Sequence, residues 1–313
     1  MNFGIIGFGR IARKFVQSIE HVNGAKVVAI GSKSVSKEDE YLLKYPDIQV
    51  YHDYLSLLED KNVDAVYIAL PHKFHYTWVI EALKHHKVVL CEKPAVLTVE
   101  EMEEIKRVAL EEKTYFLEAL KTKLNVGRDH LKEDLASIGS IQKIEANFCF
   151  DAISQKGTGA FLFDPQQGGA LNDVGPYLVG FVLDMIDSPI TKIESNKKVV
   201  DEIEEHFQAT LHFENGAIAN IEGAIDENKE RYAKIIGEKG VIEIPMFNRI
   251  IDYTIQYQDH TTLTRHYPIV GDDMTKEIQA VVDDVKEGKI QNDQHSLDDS
   301  IAVIEVINAI RNQ

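Results

Sequence analysis

The run V-D-A-V-Y-I-A-L at positions 63–70 is the feature that most restricts the fold of this chain. A strand with one face in water alternates apolar and polar side chains, so a nearly continuous apolar strand must be covered on both faces. Parallel sheets flanked by helices provide that cover. The run therefore predicts a strand inside a layered α/β domain.

Strand-like and helix-like segments alternate over the first 120 residues. Short apolar runs predict further strands at 3–6, 26–30, 87–91 and 115–120. Apolar residues at helical spacing predict helices at 10–20 and 75–85. Thr98, followed three residues later by Glu101, has the capping-box pattern that opens a helix. This alternation predicts an N-terminal doubly wound parallel sheet, a Rossmann-like domain spanning 1–120.

The pattern changes after about residue 120. Apolar and polar residues alternate at 144–150 and 206–213, and Asn215-Gly216 between alternating runs is a strong hairpin signal. A second hairpin is predicted around 237–240, and helices at 174–186, 274–287 and 297–311. We expect a second, α+β domain over 121–313, built on a mostly antiparallel sheet.

Composition excludes some classes of function. The 313-residue chain is 44% hydrophobic and 27% charged, with a net charge of −17. A nucleic-acid-binding surface needs a basic patch, which this balance disfavours, although one or two cations suffice for a phosphorylated cofactor. Two cysteines, no apolar run of membrane-spanning length and no signal-peptide pattern at Met1 lead us to expect a cytoplasmic protein with no membrane or nucleic-acid partner.

The sequence G-F-G-R-I-A at 7–12 lies between the first predicted strand and the first helix. Gly7 permits a tight turn, Gly9 lets the backbone approach a pyrophosphate, and Ala12 allows close packing of helix on strand. The predicted cofactor contacts in this turn are Gly7, Phe8, Gly9, Arg10 and Ile11. The alternative is a tight βα turn with no ligand.

The residues after the second strand predict the choice of cofactor. An acidic residue there would bind the ribose hydroxyls of NAD, whereas this chain has Ser32 and Lys33 and no carboxylate before Glu38. Because an ammonium group can meet a phosphate dianion, we predict NADP(H), with NAD as a possible second cofactor. The alternative is a solvated loop, since lysine lacks the bidentate fork of arginine.

The ends of two later strands carry the remaining predicted contacts. Ligands of open α/β sheets gather at the carboxyl ends of strands, where this chain has Leu70, Pro71, His72, His75, Glu92 and Lys93. For Glu92-Lys93 the alternative is a surface ion pair, and for His75 it is a capping or packing histidine. No metal site is predicted, because His72 and His75 have no further clustered ligands.

Four segments occur in an order that resembles the glucose–fructose oxidoreductase/inositol dehydrogenase/MocA family of NAD(P)-dependent oxidoreductases. They are G-F-G-R-I-A at 7–12, D-A-V-Y-I-A at 64–69, E-K-P at 92–94 and G-G-A-L-N-D-V-G-P-Y at 168–177, and the resemblance covers nearly the whole chain. It implies a Rossmann domain, a C-terminal domain with a large open sheet, and a homodimer formed through that sheet.

The resemblance also implies roles for three residues. Lys93 matches the family's catalytic lysine, and Tyr177 stands where inositol-dehydrogenase-like members have histidine. Tyrosine is found in members similar to dihydrodiol dehydrogenase and xylose dehydrogenase, which mostly use NADP(H). A phenol is a weak base, but a nearby ammonium stabilises phenolate, so Tyr177 is predicted to be the general acid or base. Asp173 is the third predicted catalytic residue, either sharing a helix face with Tyr177 or capping that helix.

The predicted function is hydride transfer between NADP(H) and a carbinol or carbonyl carbon of a sugar, polyol or vicinal diol. The alternatives are an NADP-binding regulatory protein without catalysis and an NAD-dependent polyol dehydrogenase. Two stretches, 120–123 and 161–165, depart from the pattern of dihydrodiol-dehydrogenase-like members. These stretches approach the substrate in the family, so the specific substrate is left open.

Overall fold

A computed structural model describes residues 1–35 and 39–313, and Glu38 lies outside these residues. The strands are β1 (Asn2–Ile6), β2 (Lys26–Gly31), β3 (Gln49–Tyr51), β4 (Ala65–Ile68), β5 (Val88–Glu92), β6 (Phe116–Ala119), β7 (Ile141–Cys149), β8 (Ile190–Val200), β9 (Ile203–Phe213), β10 (Ile218–Ala224), β11 (Tyr232–Gly237), β12 (Gly240–Ile244), β13 (Asp252–Tyr257) and β14 (Thr262–His266). The helices are α1 (Arg10–Ser18), α2 (Tyr54–Glu59), α3 (His75–Lys84), α4 (Val99–Glu112), α5 (Val126–Asp134), α6 (Ala170–Asp173), α7 (Gly175–Met185), α8 (Thr275–Lys286) and α9 (Leu297–Arg311).

The chain divides into two compact units, which are described separately. The first contains residues 1–119 and 270–301, and the second contains 120–269 and 302–313. The sequence-based division had assigned all of 121–313 to one domain. The structure instead packs 270–301 with the first unit.

The first unit contains a parallel sheet in the order β3-β2-β1-β4-β5-β6. Every residue of β4 is buried, which confirms that the apolar run at 63–70 contains a strand covered on both faces. The helix α1 packs on this sheet through Phe15, whose ring stacks on Tyr67 at a centroid distance of 4.1 Å. The order reverses between β1 and β4, and ligands of such sheets gather at that place.

Long-range hydrogen bonds explain why 270–301 belongs to the first unit. The hydroxyl of Tyr115, just before β6, donates to Asp284 in α8 at 2.7 Å. The hydroxyl of Ser18 in α1 donates to Asp272 at 2.5 Å, and the ammonium of Lys14 pairs with Asp273. These partners lie far from one another in the sequence, so local patterns did not reveal the pairing.

The second unit contains a sheet in the order β14-β13-β12-β11-β7-β10-β9-β8. Its neighbours are antiparallel apart from β7 and β10, which run parallel. Both predicted hairpins are confirmed, since β9 pairs with β10 across Asn215-Gly216 and β11 pairs with β12. The two sheets together confirm the predicted fold class. Among the described residues, no helix is both long and apolar enough to span a membrane.

Candidate active site

The turn after β1 contains two glycines. The backbone conformation requires glycine at position 7, whereas the fold would accept a side chain at position 9. Gly7 has a φ of +89°, and a Cβ there would lie 2.8 Å from the carbonyl oxygen of Ala69. Gly9 is exposed, its φ is −87°, and a Cβ there would meet no atom within 4 Å. Because the fold itself gives no steric reason for glycine at position 9, the open space beside its backbone fits a closely approaching ligand.

The helix α1 begins beside this open space. Gly9 is its N-cap, no side chain caps it, and its first turn contains no acidic residue. The first turn of a helix has N–H groups without intrahelical partners and the positive end of the helix dipole, which together favour an anion. The turn that contains Arg10 and Ile11 therefore fits the pyrophosphate of a dinucleotide.

The loop after β2 presents a cation. The hydroxyl oxygen of the buried Ser32 accepts hydrogen bonds from the N–H groups of Ser34 and Val35, at 3.4 and 3.3 Å. Lys33 is exposed, and it has no ion-pair partner in the part of the chain that the structure describes. Ser32 thus shapes the loop, and Lys33 is available to a phosphate.

An aromatic and cationic cluster beside the glycine turn was not identified from the sequence. The guanidinium of Arg13 lies over the rings of Phe8 and Tyr41, at 4.9 and 5.1 Å. Its Nη1 and Nη2 donate to both oxygens of Asp39 at 3.0 and 2.8 Å, which lowers the pKa of that carboxyl. Phe8 therefore forms part of a fixed wall beside the turn.

Three buried side chains anchor the loop that contains Lys93. The hydroxyl of Tyr67 donates to Glu92 at 2.5 Å, and Nδ1 of His75 lies 2.9 Å from the carbonyl oxygen of Pro94. The N–H of Ala95 donates to Glu118 at 2.9 Å, and the Lys93-Pro94 peptide is cis. Glu92 is 8% exposed and bonded to Tyr67, which disfavours the surface ion pair as the account of Glu92-Lys93.

His75 connects the ends of two neighbouring strands. Its Nε2 lies 2.7 Å from the carbonyl oxygen of Leu70, after β4, and its Nδ1 faces Pro94, after β5. Burial lowers the pKa of His75, and a neutral imidazole can donate to only one of these carbonyls. This geometry favours the packing alternative, and the cofactor contacts of Leu70 and His75 stay predictions.

The other two residues of this segment differ in exposure. Pro71 is exposed and precedes a short 3₁₀ helix, His72–Phe74. His72 is 7% exposed, and its ring lies 5.7 Å from that of His75. Their predicted cofactor contacts are not tested by this geometry.

Glu118 forms a buried network that sequence reasoning did not find. One carboxylate oxygen accepts from Ala95, and the other accepts from Ser300 Oγ at 2.7 Å and lies 3.1 Å from His295 Nε2. Burial alone would raise the pKa of Glu118, but the hydrogen bonds from His295, Ala95 and Ser300 outweigh it, and the pKa is lowered. An ionised carboxylate thus holds the loop that follows Lys93.

The segment around Tyr177 differs from both arrangements expected for Asp173. Asp173 ends the short helix α6, and Val174 separates it from α7, so the two residues do not share one continuous helix. Val174, not Asp173, is the N-cap of α7. Pro176 in the first turn explains the interruption, because it has no N–H to continue the hydrogen-bond ladder from α6.

The guanidinium of Arg231 lies near Tyr177 within the second unit. Its ring lies 5.5 Å from that of Phe148, and the guanidinium carbon of Arg231 lies 3.4 Å from the centre of the Phe148 ring. Burial lowers the pKa of Arg231, the nearby Arg249 lowers it further, and Tyr177 raises it. No local sequence pattern pointed to Arg231, because its position beside Phe148 depends on the pairing of β11 with β7.

The stretch at 120–123 contributes Lys123 to a buried charge cluster. Asp184 in α7 accepts from Nε and Nη2 of Arg128, at 2.6 and 2.5 Å. The ammonium of Lys123 lies 3.6 Å from the same carboxylate. Lys123 therefore has a structural contact inside the second unit.

The structure supplies no metal centre or reactive thiol within the described residues. No group of three or more histidine, cysteine, aspartate or glutamate side chains is arranged to hold a metal ion there. Cys91 and Cys149 are buried, and burial raises the pKa of both thiols, that of Cys149 to about 12. A neutral buried thiol is a poor nucleophile.

Comparisons with known proteins identify the class that this fold and site define. Residues 1–119 match the model for an oxidoreductase family with an NAD-binding Rossmann fold, GFO/IDH/MocA, and residues 134–243 match its C-terminal domain. The chain therefore belongs to the GFO/IDH/MocA family of oxidoreductases.

Individual relatives agree with this assignment. The chain is 25% identical to scyllo-inositol 2-dehydrogenase (NADP⁺) of Bacillus subtilis, over 100% of this chain and 97% of that protein. It is 27% identical to mouse trans-1,2-dihydrobenzene-1,2-diol dehydrogenase, over 78% and 74% of the two chains. Its fold matches that of KijD10, a 3-ketoreductase from Actinomadura kijaniata in complex with NADP and TDP-benzene, with a TM-score of 0.87, 23% identity and coverage of 100% and 97%.

Proposed function

We propose that this protein is an NADP(H)-dependent oxidoreductase that acts on a CH–OH or carbonyl carbon of a sugar, polyol or vicinal diol. The observation that carries the proposal is the open backbone at Gly9, at the start of α1, in a chain of this family. Lys33 in the loop after β2 supports NADP, and the names of relatives that act on scyllo-inositol and dihydrobenzenediol support the substrate class.

The nicotinamide, when bound, supplies the hydride chemistry, and the chain's own residues orient the substrate and move the proton. We assign the proton to the hydroxyl of Tyr177, as acid in reduction and base in oxidation. We assign to Lys93 the polarisation of the substrate oxygen, and to Asp173 the binding of further substrate hydroxyls. The three anchors of the Lys93 loop support its role, since a catalytic group acts best from a fixed position.

The decisive experiment is the Tyr177→Phe variant, assayed by NADPH absorbance on aldoses, polyols and diols. We expect turnover to fall by about a hundredfold or more, because general acid–base catalysis contributes at least that factor, while NADPH affinity stays near the wild-type value. Full turnover in Tyr177→Phe would refute the assigned role. NADPH binding without turnover of any substrate by the wild type would favour the regulatory alternative, and a strong preference for NAD would refute the role of Lys33.

We also propose a cytoplasmic homodimer that forms through the sheet of the second unit. One face of that sheet carries polar side chains from neighbouring strands, among them Asn147, Gln208, Thr210 and Glu222. Sedimentation equilibrium gives the mass directly. A monomer at micromolar concentration would contradict the proposal.

A further inference from the structure

Arg231 presents a hydrogen-bonding edge that the protein itself does not use. Its Nη1 donates to the amide oxygen of Asn248 at 3.0 Å, and one face of its guanidinium lies over the Phe148 ring. Its Nε is buried and has no hydrogen-bond partner among the described residues. The edge formed by Nε and Nη2 therefore has no acceptor among the described residues.

Other arginines of the same unit show what this edge binds. Nε and Nη2 of Arg128 donate to the two oxygens of Asp184, at 2.6 and 2.5 Å. The same two atoms of Arg265 donate to Asp134, at 2.8 and 2.9 Å. Parallel N–H groups on this edge match the two oxygens of a carboxylate or phosphate.

Arg231 lines a cavity together with Glu145, Glu230 and Glu243, of which Glu145 pairs with Lys143 and Glu243 pairs with Lys234. Within the described residues, no carboxylate forms an ion pair with Arg231. A second guanidinium, that of Arg249, is close enough to lower its pKa. A buried N–H without an acceptor is costly unless a ligand supplies one.

The position of this edge ties it to the proposed chemistry. Phe148 contacts both the guanidinium of Arg231 and the ring of Tyr177. We propose that Arg231 binds an anionic group of the substrate, a carboxylate or a phosphate carried by a sugar, through its Nε and Nη2. This inference rests on the proposed function, since it takes Tyr177 to act on the same substrate.

The test compares neutral and anionic sugars with the full-length protein and NADP⁺. We expect D-glucuronate or glucose 6-phosphate to exceed D-glucose in kcat/KM by about ten- to a hundredfold, the range for a hydrogen bond to a charged group. Whichever anionic sugar is favoured identifies the group as carboxylate or phosphate. Arg231→Gln should remove this preference through KM, whereas Arg265→Gln, in an arginine already paired with Asp134, should keep it. Equal loss on neutral and anionic sugars would assign Arg231 to another role and overturn the inference.

A binding measurement keeps the inference separate from the proposed activity. Protein saturated with NADPH is titrated calorimetrically with D-glucuronate and with inorganic phosphate. We expect one of these anions to bind the wild type with an affinity at least about tenfold higher than that for Arg231→Gln. Arg231→Lys should have an intermediate affinity, because its ammonium lacks the two parallel N–H groups of a guanidinium. Equal affinities in wild type and Arg231→Gln, or no anion binding, would overturn the inference even if the oxidoreductase activity is found. NADPH affinity that stays constant across the variants shows that they are folded.

Discussion

Gly7 and Gly9 lie in one turn but have different physical reasons to be glycine, so substitutions can separate them. A Cβ at Gly9 meets only open space, and the backbone is extended there. We expect Gly9→Ala to change the free energy of unfolding by less than about 1 kcal/mol but to weaken NADPH binding about tenfold or more, because the methyl group occupies the approach of the pyrophosphate. Urea denaturation and NADPH fluorescence titration measure the two effects.

Gly7→Ala is the matched control for this prediction. The φ of Gly7 is +89°, and a Cβ there would lie 2.8 Å from the carbonyl oxygen of Ala69, so any side chain at this position is strained. We expect a loss of about 1–3 kcal/mol in the free energy of unfolding. Wild-type NADPH affinity in Gly9→Ala would contradict the assigned cofactor site.

Glu118 allows a second prediction at the level of a single residue. Its two oxygens accept from three donors, and an amide would place a donor against at least one of them. We expect Glu118→Gln to lower the free energy of unfolding by about 1–3 kcal/mol. Since the displaced loop contains Lys93, kcat should fall with little change in NADPH affinity. Glu104→Gln, in an exposed side chain paired with Arg107, is the control, and full activity in Glu118→Gln would refute the positioning role.

The residues that sequence reasoning found and those that it missed differ in the range of their contacts. The glycine turn and the Glu92-Lys93 strand end have local patterns, and both lie at the carboxyl ends of strands as predicted. Glu118 meets His295 across 177 positions, and Arg231 reaches Phe148 through strand pairing. No local pattern encodes such contacts, so these residues required the fold.

At the level of secondary structure, sequence patterns predicted the existence of helices and strands better than the points at which a helix is broken. The alternation in β9 and β10 is a local consequence of one face being buried, and both strands are present. The break between α6 and α7 was not predicted, because apolar spacing continues through Val174 and only Pro176 interrupts the ladder. The error matters for Asp173, which was predicted either to share a helix face with Tyr177 or to cap its helix and instead ends α6.

The pairing of β9 with β10 has a pH dependence that can be measured. Burial would raise the pKa of Glu222 on β10, but hydrogen bonds from Lys229, Gln208 and His206 outweigh it and lower the pKa to about 2. A carboxyl whose pKa is lower in the folded state stabilises the fold above its unfolded pKa, and that contribution is lost as the pH falls. The contribution of Glu222 should therefore be complete above about pH 4.5 and decline towards pH 2.

The Glu222→Gln variant isolates this contribution. We expect it to be less stable than the wild type in urea at pH 7, and the difference to shrink as the pH falls from about 4.5 towards 2. Glu214→Gln, at the exposed end of the β9–β10 hairpin, is the control. A difference between wild type and Glu222→Gln that is constant with pH would show that its ionisation contributes nothing.

The division of the whole chain into units was predictable only in part. The change of pattern near residue 120 marks the junction, because strand and helix periodicities are local. The return of 270–301 to the first unit depends on tertiary hydrogen bonds, such as Tyr115 to Asp284, Ser18 to Asp272 and Ser300 to Glu118. Helix periodicity predicted α8 and α9 but not the assignment of 270–301 to the first unit and of 302–313 to the second.

This division predicts that 1–120 is not a self-sufficient cofactor-binding domain. Without 270–301, the buried Tyr115 and Glu118 lose partners, at about 1–3 kcal/mol for each group left unsatisfied, against a typical net stability of about 5–15 kcal/mol. We expect a 1–120 fragment to unfold with a shallow urea transition and to bind NADPH weakly. Addition of a separate 270–301 peptide should restore a cooperative transition and NADPH affinity, whereas a 270–301 peptide with Asp284→Ala should restore less. A fragment of 1–120 that binds NADPH as tightly as the full chain would show that 270–301 is dispensable. The contacts of 270–301 with the first unit would then contribute nothing to the stability of the cofactor-binding fold.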